Sequence, residues 1–264
     1  MEKIILKDYN NNPIHVYIYK PEGEIKGIVQ IVHGASEHFA RYGLFAEFLN
    51  KNGYLAIGSD ILGHGLSTEN LDYVHFADKD GDILAYESVL LVKEYIEEHY
   101  KGMNVFLFGH SMGSFISRKL VLDFPEFYKK AIFSGTAFTS AGRKIAGNIV
   151  ISIIKIFKGP KYVSKLIQAM AIDSIPIKME KDGIISGNLK EEWLTRDPEI
   201  QQYYHNSNMC GQPFTIQANY DMVKWISFVD NKKNIALGKK NQPIMFISGE
   251  KDALSNYGED IKKL

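Results

Sequence analysis

The chain has one cysteine, Cys210, in 264 residues, so no disulfide can close within it. No Cys/His cluster has zinc spacing, and none of the motifs calls for a metal or an organic cofactor. Charge of one sign is missing as well: 31 Lys plus Arg stand against 31 Asp plus Glu, a formal net charge of zero with His neutral. Without a global field, no nucleic-acid partner and no acidic substrate is expected. Nowhere do about 18 uncharged apolar residues run together, and Met1 to Asp8 carry no apolar h-region. Neither a membrane span nor a secretory leader is indicated, and the cytoplasm is the expected compartment. The last absence is histidine, since none follows His205.

What is present fits one α/β core with an insertion. Apolar residues make up 45% of the chain, enough to fill such a core. Residues 3–7 and 14–19 alternate around Asn10-Asn11-Asn12-Pro13 and predict a β-hairpin. Gly27 to His33 is a short apolar run of the kind buried on both faces of a parallel sheet, and Leu44, Phe45, Phe48 and Leu49 follow it at helical spacing. A strand over 54–60, a helix over 82–100 and strands over 105–108, 128–134 and 243–248 continue the alternation. This order predicts a mostly parallel, doubly wound sheet.

The organising stretch is Asn104 to Leu120, where an apolar strand runs into Gly109-His110-Ser111-Met112-Gly113 and a helix follows. G-x-S-x-G between strand and helix is a nucleophile elbow. Side chains at Gly109 and Gly113 would collide with neighbouring backbone, and the turn lifts the Ser111 hydroxyl above the sheet. The N–H of Met112, at the helix start, is then a candidate oxyanion donor. His33-Gly34-Ala35-Ser36-Glu37-His38 leaves another strand end, which makes Ala35 N–H the second candidate donor. Ser248-Gly249-Glu250-Lys251-Asp252 leaves the last strand and offers Asp252 as a triad acid, with Glu250 the competing carboxylate.

About a hundred residues separate Gly135 from Pro243, far more than a crossover needs. This is read as an inserted cap. Ile145, Ile149, Ile153 and Ile156 share a helical stripe, then Val163, Leu166, Ile167 and Met170, with Gly159-Pro160 between. From Thr139 to Glu180, Arg143 and six lysines face only Asp173 and Glu180, a net of +5. A basic amphipathic pair of this kind can line an acyl pocket, lie on a membrane surface or simply pack on the core. The expected units are a first core part over 1–138, the cap over 139–218 and a second core part over 219–264.

H-G-A-S-E-H at 33–38, D-I-L-G-H-G-L-S at 60–67, G-H-S-M-G at 109–113 and S-G-E-K-D at 248–252 together resemble the monoacylglycerol lipase and lysophospholipase branch of the α/β-hydrolases. Trp193 to Pro198 and Tyr203 to Cys210 resemble the segment that joins cap to core in that branch. The resemblance implies an α/β-hydrolase fold, a lipid ester as small-molecule substrate, Ser111 as nucleophile, Asp252 as acid, and Ala35 and Met112 as oxyanion donors. His33, Gly34, Gly109, His110 and Gly113 would support the motifs, and Asp60, Gly63, His64 and Gly65 would be loop architecture beside the site. H-G-x-G is commoner in the family at the first motif, and Ser36 takes the place of its second glycine.

The family's base is a histidine beyond the acid, after a further strand, and these residues hold none there. His33, His38 and His110 are expected to be structural or supporting. The expectation is therefore that the natural protein continues for roughly thirty to fifty residues, room for a helix, a strand, a histidine loop and a closing helix. The expected activity is hydrolysis of a monoacylglycerol or lysophospholipid through an acyl-enzyme. Its rivals are an aminopeptidase of related fold and a catalytically idle remnant.

Overall fold

Apolar alternation zips Glu2–Lys7 (β1) to Pro13–Tyr19 (β2) as an antiparallel hairpin in the computed structural model, which describes residues 1–264. Asp8 closes the turn by accepting the N–H groups of Asn10 (2.9 Å) and Asn12 (2.8 Å). Gly27–Val32 (β3) is buried at every position, as a central strand covered on both faces must be. Helix Gly43–Lys51 (α1) leads to strand Tyr54–Ser59 (β4), and helix Gly81–His99 (α2) leads to strand Val105–His110 (β5). Helix Met112–Asp123 (α3) and strand Tyr128–Ser134 (β6) complete the contiguous part of the sheet. The seven strands lie in the order β1-β2-β4-β3-β5-β6-β7, where β7 is Ile244–Ile247. Pairing is parallel from β4 through β3, β5 and β6 to β7 and antiparallel only at β1 and β2. The predicted mostly parallel α/β sheet is what forms.

The larger core joins β3 and β5 (Ile28, Leu107) to α2 and α3 (Val92, Ile116) and to Trp225 of Ile216–Val229. On the opposite face Tyr17, Val29, Ile31, Phe39 and Ala56 pack under Ala46 of α1. Consequently the carboxyl ends of β3, β5 and β7 carry the three motif loops along one rim of the sheet.

No strand occurs between β6 and β7. Helix Ala141–Lys158 (α4) ends at Gly159, whose φ of 83° stops it. Lys165–Gln168 (α5) passes through a π-helical turn at Ala169–Asp173 into Ser174–Lys181 (α6), and Pro198–Asn206 (α7) starts from the Asp197 side-chain cap. Ile216–Val229 (α8), capped by Thr215, packs against α2, α3 and α4, and Lys232–Ile235 (α9) follows.

The stripe of Ile145, Ile149, Ile153 and Ile156 does not pack on the core: these residues are 51–78% exposed, while Ile151, on nearly the opposite side of the helix, is buried with Ile167 and Ile216. α4 is apolar on more than one face, and α8 can cover only one. Residues 257–264 make turns and a 3₁₀ segment, Ile261–Lys263. Positive φ at Asn256, Tyr257 and Gly258 keeps helical hydrogen bonds from forming there.

Candidate active site

β5 ends at His110 and α3 begins at Met112, so Ser111 alone makes the turn, at φ 50° and ψ −120°. For a residue with a Cβ this conformation is strained. The surroundings hold it in place. Ser111 donates its N–H to Ser134 O of β6 (2.9 Å), and its own carbonyl accepts from Ser114 N–H (2.8 Å) and Ser114 Oγ (2.6 Å). Glycine is required on both sides: a Cβ on Gly109 would press on Ser117, and one on Gly113 would enter the carbonyls of Val32 and His33. Met112 is the first residue of α3, where no intrahelical carbonyl can reach its N–H.

The first motif loop folds over this turn. A Cβ on Gly34 would lie 3.1 Å from Ser111 Cβ and 3.3 Å from His110 Cδ2, so the backbone carrying Ala35 passes directly beside the serine. Ala35 N–H has no acceptor within the protein. The sequence reading did not anticipate Glu37 as the brace of this loop. Its buried carboxylate accepts from Gly34 N–H (2.6 Å) and Tyr42 Oη (2.7 Å), and it pairs with Arg41. The i,i+4 spacing of Glu37 and Arg41 was the available signal. Glu37, Arg41, Tyr42, Phe108 and His110 line a small cavity of about 190 Å³ at this point.

The histidines of the motifs bond to partners other than the serine hydroxyl. His33 accepts Ile61 N–H at Nε2 (2.9 Å), so its Nδ1–H donates to Gly34 O (2.8 Å). Full burial pushes its pKa down to about 4, which keeps the ring neutral. His64 is buried against His33, Phe76 and Phe214, and that burial holds it well below the ordinary value. His38 approaches Tyr203 Oη at 3.4 Å. His110 turns from the serine toward Ser134 Oγ (3.4 Å); burial first and Arg41 second lower it to about 4, with Asp252 pulling in the opposite direction. Asp60 is buried as loop architecture, accepting from Tyr17 Oη, Phe39 N–H and Leu66 N–H at 2.8–2.9 Å. None of the eight histidines hydrogen-bonds Ser111 Oγ.

At the end of β7 the two candidate carboxylates part company. Glu250 is exposed, whereas Asp252 is half-buried, accepts Leu254 N–H (2.9 Å) and Ser248 Oγ (3.5 Å), and acts electrostatically on His110 of the elbow. The geometry thus brings Gly34, Ala35, His110, Ser111 and Met112 together, with Asp252 on the same rim. No group of His, Cys, Asp and Glu side chains is arranged to hold a metal ion.

The profile of the family described as Hydrolase_4, serine aminopeptidase S33, matches residues 23–263. The chain belongs to that family. It is 35% identical over 124 residues to the monoglyceride lipase homolog of Monkeypox virus, a match taking in 47% of this chain and 43% of that protein. It is 24% identical over 238 residues to the monoglyceride lipase of Rattus norvegicus, covering 89% of this chain and 68% of the rat protein. The S33 fold recurs in a thermostable carboxyl esterase from Bacillus coagulans crystallised with glycerol, with TM-score 0.87, 22% identity, and 99% of this chain and 83% of that one covered. It recurs also in a soluble variant of monoglyceride lipase from Saccharomyces cerevisiae in complex with a substrate analog, with TM-score 0.70, 15% identity, and 97% and 79% covered.

Proposed function

We propose that this S33-family protein is a serine carboxylester hydrolase cleaving single-chain lipid esters, a monoacylglycerol or a lysophospholipid, through an acyl-enzyme on Ser111. The observation that carries the reading is the Ser111 turn, strained at a strand-to-helix junction and overlaid by the loop of Gly34 and Ala35. In the proposed reaction Ser111 Oγ attacks the ester carbonyl, and the oxyanion is taken by the N–H groups of Ala35 and Met112. A general base takes the Ser111 hydroxyl proton and gives it to the alcohol as collapse breaks the ester bond, and water, deprotonated by the same base, then attacks the acyl-enzyme to release the acid and return the proton to Ser111. Asp252, rather than the exposed Glu250, is the acid that would orient a base. The names of the viral, rat and yeast relatives support a monoacylglycerol as substrate.

The cap, residues 139–218, supports a lipid rather than a small polar ester. Ile145, Ile149, Ile153, Ile156 and Phe157 stand in solvent on one stretch of α4, whose last turn carries Lys155 and Lys158. We assign this face to peripheral contact with a lipid surface. No helix is long and apolar enough to cross a membrane.

The test is labelling by a fluorophosphonate probe, expected at Ser111 and lost in Ser111→Ala, followed by turnover of p-nitrophenyl esters against amino-acid anilides. Faster anilide cleavage would favour the aminopeptidase reading and reject the lipase one. A second reading, that these residues by themselves are nearly idle, is favoured by the one observation that no histidine engages Ser111 Oγ. A nucleophile held without its base keeps only the contribution of oxyanion donors and binding, so turnover by this chain is expected to be small.

A further inference from the structure

Ser36 is the one residue at which the first motif departs from the glycine common in the resembling branch, and the structure gives it an unusual setting. Its φ is 54°, a region a glycine occupies freely and a serine only with strain. Three hydrogen bonds hold it there, and all three come from the segment that returns from the cap to the core. Ser36 Oγ donates to Gln212 O (2.6 Å), while Ser36 O accepts from Tyr204 Oη (2.9 Å) and from Gly211 N–H (2.8 Å). Tyr204 is in turn covered by the Arg41 guanidinium, 4.9 Å from its ring centre, and Arg41 pairs with Glu37.

The consequence falls on Ala35. The residue before it is braced through Gly34 N–H on the Glu37 carboxylate, which Tyr42 and Arg41 hold in turn, and the residue after it is fixed to the cap. Between these two clamps Ala35 N–H is left without an acceptor, beside Ser111. A hydroxyl at position 36 supplies a bond that glycine could not.

We propose that Ser36 is a positioning residue that staples the oxyanion loop to the cap's return segment, so that the aim of Ala35 N–H at the reacting carbonyl depends on the cap being seated. The inference rests on the reading of Ser111 as nucleophile and Ala35 as donor. It assigns the cap a part in the chemical step, additional to lining a lipid site.

The experiment is the inactivation kinetics of the 264-residue protein with a fluorophosphonate, separated into KI and kinact, with melting temperatures in parallel. Ser36→Gly removes the hydroxyl and relaxes the strained φ, so its melting temperature should stay within a few degrees of wild type. Its kinact should fall about tenfold with KI unchanged, because a misaimed donor weakens the transition state and not the encounter. Tyr204→Phe removes a different bond to the same serine and is expected to lower kinact severalfold, which keeps the test open if the glycine variant melts early. Wild-type kinact in both variants overturns the Ser36 assignment and leaves Ser111 standing. A raised KI at constant kinact also overturns it, placing Ser36 in ligand binding alone. Failure of the wild-type protein to be labelled even with imidazole added as a proton acceptor overturns the nucleophile reading and the Ser36 assignment with it.

Discussion

A non-glycine residue held at φ 50° and ψ −120° costs on the order of 1–3 kcal/mol, and at Ser111 the cost is sustained by bonds to Ser134 and Ser114 and by two glycines that let backbone close around it. The strain is therefore sensitive to any atom added nearby. Gly113→Ala would place a methyl against the Val32 and His33 carbonyls, which as backbone in and beside β3 cannot yield. We expect destabilisation of about 2–3 kcal/mol, read from chemical denaturation, and at least about tenfold slower labelling of Ser111. Gly147→Ala is the control, since nothing lies within 4 Å of its Cβ position in α4, and a gain of about 0.5–1 kcal/mol is expected. The missing base gives another residue-scale prediction. If Ser111 lacks only a proton acceptor, imidazole added to the assay should speed p-nitrophenyl ester turnover severalfold above its own background, and Ser111→Ala should show no such gain.

Among the elements, α4 divides its apolar residues between two uses. Ile151 is buried with Ile167 and Ile216, so Ile151→Ala should cost about 2–4 kcal/mol by the loss of packed methyl groups. Ile149 and Ile153 are 55% and 51% exposed, and changing both to Glu should leave the melting temperature within a few degrees. The same double substitution should reduce co-sedimentation with anionic vesicles, since it removes apolar area and adds two negative charges on the proposed lipid-facing side. Unchanged vesicle binding would remove α4 from the membrane assignment. At the other edge of the sheet, β7 bonds only to β6 and leaves Ile244, Met245 and Ile247 partly in solvent, an edge that invites association.

Across the whole molecule, burial sets how stability responds to pH. His33 and His110 have folded pKa values near 4, and His64 lies well below its ordinary 6.5, each chiefly through burial. Their folded values are depressed, so the unfolded chain binds protons more readily, and stability present above pH 6.5 is lost as pH falls toward 4. Asp221 works in the opposite sense. Burial in α8 raises its carboxyl from 3.8 to about 6, so its favourable contribution is present below 3.8 and disappears as pH rises through 6. Denaturation midpoints should fall between pH 7 and pH 4, and the fall should be steeper in Asp221→Asn, which lacks the partial offset. An unchanged fall in that variant would show that Asp221 titrates at its ordinary value, and a shallower one that folding lowers it.

The alternation of short apolar runs with amphipathic segments determined the order of strands and helices, because a strand buried on both faces and a helix buried on one impose different periods on the same chain. The elbow was legible for the same reason, since Gly109 and Gly113 mark a local backbone that little else can adopt. What the sequence could not decide is contact at long range. Glu37 reads as an ordinary solvated acid until folding brings Gly34 N–H, Tyr42 and Arg41 around it. Motif position favours Asp252 over Glu250 in the sequence, but their burial is not written there, and only the turn after β7 half-buries one and exposes the other. The α4 stripe shows the same limit, because periodicity reports that a face is apolar and only the position of α8 decides which face is covered. Ser36 is the sharpest case: its three bonds reach Tyr204, Gly211 and Gln212, more than 160 residues away, and no local propensity could have announced them.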